Sequence, residues 1–267
     1  MAPARRGTRH APSKVPEMTV YFWITKVLTT GMGETTSDYL VHRLDPVIAV
    51  GLGGVGLVAA LTLQFSARRY VAWIYWLAGV MVSVFGTMAA DVLHIGLGIP
   101  YVVSTVFFTI ALAVIFACWY VAEGTLSIHS IYTRRREAFY WATVLATFAL
   151  GTAAGDMTAA TMGLGYFTSG VLFAVVITVP AVAYWRSALN PVLAFWFAYI
   201  VTRPVGASFA DWMGVSPQRS GLGWGTGPVS LALTFLIIGL VGYLTVTRVD
   251  VKNDSVLTSA PAGAHRR

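Results

Sequence analysis

Four aspartates in long apolar segments are the residues of this chain best suited to chemistry. An ionised aspartate at the centre of a membrane helix costs about 2.5–3.5 kcal/mol, so these side chains must face the protein interior. There, a carboxylate needs either a proton or a cation to balance its charge. The residues are Asp38, Asp91, Asp156 and Asp211, and Glu34 adds a fifth carboxylate four residues before the first. The sequence therefore predicts a cation-binding site or a proton relay.

Two histidines follow the first two aspartates at spacings compatible with metal binding. His42 lies four residues after Asp38, and His94 lies three residues after Asp91, so each pair shares one helix face. Carboxylate and imidazole ligands suit Mn²⁺, Fe²⁺ or Zn²⁺, which makes a divalent metal ion one candidate substrate. The spacing is weak support by itself, because histidines near a helix end are often simply solvated.

Two bases accompany the acids inside the apolar segments. Lys26 lies one turn after Trp23, so it either extends to the membrane surface or acts as a counter-ion. Arg203 lies two turns before Asp211, too deep to reach the surface, and we expect it to pair with an acid of a neighbouring repeat. Pro204 directly follows it and should kink the helix, which makes this segment a candidate gate.

The aspartates belong to an internal repeat. In each of four copies a tryptophan, preceded by another aromatic residue, comes ten residues before a glycine, and the glycine comes five residues before the aspartate. The repeated tryptophans are Trp23, Trp76, Trp141 and Trp196, and the repeated glycines are Gly33, Gly86, Gly151 and Gly206. Four matches at a fixed spacing predict four structurally equivalent units.

The spacing within one copy predicts where its residues lie in a membrane. Tryptophan and aspartate would be roughly 22 Å apart along a helix, most of the thickness of the hydrocarbon layer. The tryptophans are therefore expected in the aromatic belt at one membrane surface. Each glycine lies between these levels, where a small residue lets two helices approach closely.

The elements that position these residues are membrane-spanning helices. Hydrophobic residues make up 57% of the 267 residues, charged residues make up 11%, and the mean hydropathy is +0.70, values that exclude an ordinary soluble domain. Apolar runs near the roughly 20 residues that cross a bilayer lie at about 18–40, 47–66, 71–94, 101–122, 138–160, 166–185, 192–213 and 228–247. The predicted fold class is all-α, a polytopic membrane protein of about eight transmembrane helices.

Each repeat contains two helices, so successive copies enter the membrane from the same side. Four parallel two-helix repeats should surround a pseudo-fourfold axis along the membrane normal. We predict a single transmembrane domain over residues 18–247, between disordered basic tails at 1–17 and 248–267. The predicted repeats are about 18–68, 71–123, 136–186 and 191–247.

The distribution of basic residues predicts the orientation. The chain carries 18 lysines and arginines, and outside the spans only Arg43 and Arg219 lie on the side opposite the two termini. The positive-inside rule then places both termini in the cytoplasm of a multi-pass protein of the cell (inner) membrane. The expected partners are the lipid bilayer and a small cation. Nucleic acid is not expected, because the basic residues are spread over loops and tails.

The first repeat resembles a known family. The stretches Lys14-Val15-Pro16-Glu17, Tyr21-Phe22-Trp23 and Gly33-Glu34-Thr35-Thr36-Ser37-Asp38 resemble a bacterial family of uncharacterised membrane-anchored proteins. That family is built from tandem repeats of about fifty residues of unknown function. The resemblance extends over roughly residues 14–247 and implies an architecture without an activity. Thr87 and Ala207 replace Glu34 in repeats two and four, so any site is asymmetric.

These features support several hypotheses about function. The first is a transporter or channel for a small cation, linked to protons or specific for a divalent metal, that uses the carboxylate cluster. A proton-coupled carrier of an organic solute is a second. The alternative of a different class is a non-transporting scaffold or accessory protein whose aspartates only fix helix packing. The sequence lacks the H-E-x-x-H, G-x-S-x-G and P-loop signatures, so we do not expect an enzyme.

Overall fold

The computed structural model describes residues 13–186 and 189–251, which fold into helices joined by short loops. The α-helices are α1 (Val20–Arg43), α2 (Pro46–Ser66), α3 (Ala72–Asp91), α4 (Tyr101–Glu123), α5 (Arg134–Asp156), α6 (Gly165–Val176), α7 (Thr178–Trp185), α8 (Pro191–Gly214) and α9 (Thr226–Thr247). Two π-helical turns, Val92–Gly96 and Met157–Thr161, extend α3 and α5. Short 3₁₀ turns, Ile128–Ser130 and Pro217–Arg219, lie in two of the loops.

Local sequence explains where the helices begin. The side chain of Asp45 accepts hydrogen bonds from the backbone N–H groups of the first turn of α2, and proline follows it. The side chain of Asn190 does the same for α8, again with proline in the next position. The N–H groups of a helix's first turn have no partner within the helix, and an acceptor side chain just before the helix satisfies them. Proline is favoured at the first helical position, because its fixed backbone angle suits the helix and the N–H it lacks is not needed there.

The helices form an inner and an outer group. The inner helices are α1, α3, α5 and α8, and the last three have 44–67% of their most apolar window buried. The outer helices α2, α4, α6–α7 and α9 have only 17–22%. The outer helices expose large apolar side chains, as Val47 and Phe235 show. Such a surface is stable against lipid and unstable against water. The chain is a multi-pass membrane protein.

Seven segments are long and apolar enough to cross a membrane in the described part of the chain. They correspond to α2, α3, α4, α5, α6–α7, α8 and α9. Helix α1 is long enough but is not among them, because Lys26, Glu34 and Asp38 lower its hydropathy. Those polar side chains are not exposed to lipid, because α1 packs against α3, α8 and α9. An eighth span is therefore consistent with its position, although its composition alone does not identify it.

The repeated glycines join the inner helices into a ring. A Cβ atom added at any of them would overlap a side chain of the next inner helix. The pairs are Gly33 with Ser83, Gly86 with Phe148, Gly151 with Arg203 and Gly206 with Thr30. In every pair the partner lies three residues before the glycine of its own repeat. The contacts run from α1 to α3, α5, α8 and back to α1, with all four helices parallel.

Gly33→Ala is expected to lower the free energy of unfolding by about 1–3 kcal/mol, because the new methyl group would overlap the Ser83 side chain and lie 2.9 Å from its carbonyl carbon. Gly51→Ala is the matched control in the same repeat, since no atom lies within 4 Å of its added Cβ. Denaturant unfolding in detergent measures both. Equal effects would contradict the close contact between α1 and α3.

The tryptophan end of the bundle differs from the prediction. Trp76, Trp141 and Trp196 are each only 3% exposed, so their assignment to an interfacial belt is wrong. They pack instead with the aromatic residues that precede them in a cluster that includes Tyr75 and Tyr140. Edge-to-face packing of aromatic rings stabilises a fold by more than the burial of their surface area alone, which favours this internal cluster. Trp23 is half-buried at its edge.

The prediction of disordered tails is wrong for residues 13–17 and 248–251, which the structure describes. Val15 is buried in the core, and the Lys14 ammonium contacts the Glu137 carboxylate at 2.6 Å. On the other side, Asp250 is buried and accepts hydrogen bonds from Tyr70 and from the backbone of Glu17. The buried carboxylate of Glu137 requires a cation, which explains why residues 13–17 are held in place. Residues 1–12 and 252–267 lie outside the described residues.

Candidate functional site

Each inner helix presents a stripe of residues to the axis of the ring at intervals of four. On α1 the stripe is Phe22, Lys26, Thr30, Glu34 and Asp38. Side chains four apart lie on one helix face, so equivalent residues of the four repeats meet at the same level. Thr87, Thr152 and Ala207 occupy the level of Glu34, and the four aspartates occupy the next level. The level of the aspartates is called the aspartate end below.

An ion pair lies at the middle of the ring. Arg203 is fully buried, and its Nη2 donates to Glu34 Oε2 at 2.7 Å. Its Nη1 donates to the carbonyl of Thr30 at 2.8 Å. Nη2 also contacts the hydroxyl oxygens of Thr87 and Thr152, the latter at 2.9 Å. One guanidinium therefore touches the other three inner helices.

The two threonines also satisfy the carboxylate of the pair. Thr152 and Thr87 donate to Glu34 Oε2 at 3.0 and 3.2 Å. We refer to Thr30, Glu34, Thr87, Thr152 and Arg203 as the core cluster. A buried ion pair is stable only when additional hydrogen bonds satisfy its remaining donors and acceptors, and the threonines provide those bonds. The core cluster closes the axis at this level.

Lys26 forms no ion pair in the described ranges and does not reach a surface, so neither sequence interpretation of this lysine holds. It is 2% exposed, and its Nζ lies 4.1 Å from the ring centroids of both Phe148 and Tyr199. Nζ has no hydrogen-bond partner among residues 13–186 and 189–251. A cation between two ring faces is stabilised by their quadrupoles, which explains how this position accepts a lysine. The equivalent residues of the other three repeats are Gly79, Val144 and Tyr199, so Lys26 has no carboxylate at its own level.

The aspartate end contrasts with the core cluster. Asp38, Asp91 and Asp156 are half-buried, and Asp211 is only 5% exposed. Within the described residues, none of the four carboxylates forms a side-chain hydrogen bond or an ion pair, and Asp211 Oδ1 is buried without a partner. The π-helical turns begin directly after Asp91 and Asp156. Such turns are concentrated at functional sites.

Both histidines form hydrogen bonds with backbone carbonyls of residues four or five positions away. His42 Nδ1 lies 2.6 Å from the carbonyl of Asp38, and His94 Nδ1 lies 2.6 Å from the carbonyl of Ile99. The His94 ring also stacks on Tyr101. Among the residues described, no three His, Cys, Asp or Glu side chains come together as a metal site. In the described residues, His42 and His94 therefore have no further side chains beside them that would complete a metal site.

A second polar cluster lies near the tryptophan end, where sequence reasoning placed none. Glu137 is fully buried, and its two oxygens accept from Lys14 at 2.6 Å and from Gln64 at 2.8 Å. It follows Arg134–Arg136 directly and lies in the first turn of α5. The available signal was that Glu137 lies only four residues before Trp141, the tryptophan of its repeat.

Comparison with known proteins identifies the repeat. The family model described as Repeat of Unknown Function (DUF347) matches the chain four times, at residues 21–70, 74–125, 139–190 and 194–250. The four copies of about fifty residues expected from spacing are confirmed. No curated protein and no solved structure matches the chain.

Proposed function

The chain belongs to the family of DUF347 repeat proteins, and since that description assigns no activity, we propose from the geometry that it transports a small cation across the membrane. The observation that carries this proposal is the set of four aspartates without protein partners at one end of the ring. Carboxylates in a low-dielectric surround attract cations more strongly than the same groups in water. The four carboxylates lie at one level around the ring, so their negative charges act together on a cation near its axis, without three of them having to coordinate it directly.

The core cluster supports a gated carrier over an open channel. A cation that leaves the aspartate end along the axis meets the guanidinium of Arg203 and then the ammonium of Lys26, and both repel it. Passage therefore requires Arg203 to move, or a change in its partner Glu34. Arg203 also precedes Pro204, which removes a backbone hydrogen bond from α8 and makes that helix easier to bend at this point.

The proposal includes the membrane arrangement. Helix α1 crosses the membrane as an eighth span, and the four inner helices surround a pseudo-fourfold axis along the membrane normal. The asymmetry of basic residues supports an orientation in the cell membrane with both termini in the cytoplasm and the aspartate end outside. In this orientation the carboxylates receive cations from outside the cell.

Flux through proteoliposomes tests the proposal. We expect wild-type protein to take up at least one of rubidium, manganese or protons, followed by radioactive tracers and a pH-sensitive dye. We expect the variant Asp38→Asn/Asp91→Asn/Asp156→Asn/Asp211→Asn to lose that uptake while it keeps its helical content and its size in detergent. Full flux through the quadruple variant would eliminate the proposal.

A scaffold is the second candidate function. One observation favours it: the single guanidinium of Arg203 contacts all three other inner helices, as a purely structural lock would. A scaffold predicts no flux of any tested ion through wild-type protein, together with aspartate substitutions that change only stability. The same proteoliposomes therefore separate the two functions.

A further inference from the structure

A basic residue lies on the loop at the aspartate end. Arg219 ends the short 3₁₀ turn between α8 and α9, and its Nη2 donates to the Tyr166 hydroxyl at 2.7 Å. The guanidinium carbon lies 5.8 Å from the centroid of the Tyr166 ring. Tyr166, in the first turn of α6, is 8% exposed, so it is a fixed support for an arginine whose own side chain is exposed. The arginine is thus held beside the mouth of the ring.

Arg219 interacts electrostatically with the carboxylates of the aspartate end but forms no ion pair with them. In the described ranges it forms no ion pair with any acid. Burial lowers the pKa of its guanidinium, but Tyr166, Asp38 and Asp211 together raise that pKa above its ordinary value. The backbone N–H of Leu222 donates to the carbonyl of Trp212, the residue after Asp211, so this loop lies beside the aspartate end, while the bond to Tyr166 keeps the arginine at the side.

The loop that carries Arg219 is firmly anchored. The backbone N–H groups of Leu222 and Gly223 donate to carbonyls at the end of α8 at 2.7 and 2.8 Å. A Cβ atom on Gly221 would overlap the carbonyl of Val215, so the loop packs directly on the chain that follows the helix. The arginine backbone is thus fixed, and only its long side chain can change position.

We propose that Arg219 is a tethered competitor for the cation site at the aspartate end, and that the Tyr166 hydroxyl holds it away from the carboxylates. This inference rests on the proposed function, because it assumes that the four aspartates bind a cation. When the side chain leaves Tyr166, the guanidinium neutralises the carboxylates and lowers their affinity for the cation. The hydrogen bond to Tyr166 thereby sets how strongly the site binds cations.

Cation binding by three variants tests this inference. Arg219→Gln should lower the half-saturating concentration of rubidium or manganese, whichever tracer the wild-type protein binds, by about threefold to tenfold at low ionic strength, and less at high salt. Tyr166→Phe should raise that concentration, because it removes the hydrogen bond that holds the arginine away. The double variant should behave like Arg219→Gln, since without the arginine the tyrosine has nothing to hold.

Arg43→Gln is the matched control. Arg43 also lies at the aspartate end but places its guanidinium 5.6 Å from the ring of Tyr39, so its removal changes the net charge of that end equally. Equal effects of Arg219→Gln and Arg43→Gln, or a Tyr166→Phe variant that binds as wild type, would overturn the inference and leave the proposed function standing. An absence of cation binding by wild-type protein would overturn both.

Discussion

Arg203→Met is expected to lower the free energy of unfolding by about 3–5 kcal/mol, because it leaves the buried carboxylate of Glu34 without its cation. Methionine fills a similar volume, so the loss is mainly electrostatic. Denaturant unfolding of purified protein in detergent measures the effect. Arg186→Met, which removes an exposed arginine, should change the same quantity by less than about 0.5 kcal/mol.

The double variant Glu34→Met/Arg203→Met shows whether the two residues act as a pair. We expect it to be more stable than Arg203→Met alone, because replacement of both charges by apolar groups removes the unpaired carboxylate. The threonines at the level of Glu34 would still lose their charged partner, so full recovery is not expected. If the losses in the free energy of unfolding from the two single substitutions simply added in the double variant, Glu34 and Arg203 would not act as a pair.

Asp211→Asn is expected to weaken cation binding by about tenfold, or about 1.4 kcal/mol, and to leave the protein as stable as wild type or more stable. Asp211 is buried, and its Oδ1 has no partner in the described residues, so its charge contributes repulsion and desolvation to the folded state. Tracer binding and denaturant unfolding measure the two effects. A structural aspartate would show the reverse signs, with lower stability and unchanged binding.

Asp45→Asn is the matched control for Asp211→Asn. Asp45 lies beyond the aspartate end, and its Oδ1 caps α2 through the N–H groups of Val47 at 2.9 Å and Ile48 at 3.3 Å. Asparagine caps a helix as well as aspartate does, so stability should be kept while one negative charge is lost. Weaker binding in this control would mean that net charge alone, and not the ring of carboxylates, attracts the cation.

The repeat and the level of its acids could be predicted, because both depend on spacing within one helix. A fixed distance from tryptophan to glycine to aspartate determines the height of each residue along its helix. The choice of partners across helices depends on which helix lies next to which, and one sequence does not state this. Arg203 was expected to meet an acid of another repeat, but only the closure of the ring from α8 to α1 shows that the acid is Glu34.

The errors have a common physical cause. Trp76 was assigned to a membrane surface, and a position reaching that surface was one of two interpretations of Lys26, because tryptophans and lysines near span ends commonly lie there. In this protein the aromatic residues of four repeats meet at the axis, and together they bury the ring of Trp76 and the ammonium of Lys26. Lys14 was assigned to a tail for a similar reason, since its partner Glu137 is distant in sequence.

Equilibrium binding of tracer cations to purified protein tests the central claim most directly. Rubidium and manganese would each be titrated against wild-type protein and against the variant in which all four aspartates are replaced by asparagine. The account predicts saturable binding of at least one cation by wild-type protein and its loss in the variant, with helical content unchanged. Equal binding by both proteins would contradict the claim that these four carboxylates form the cation site.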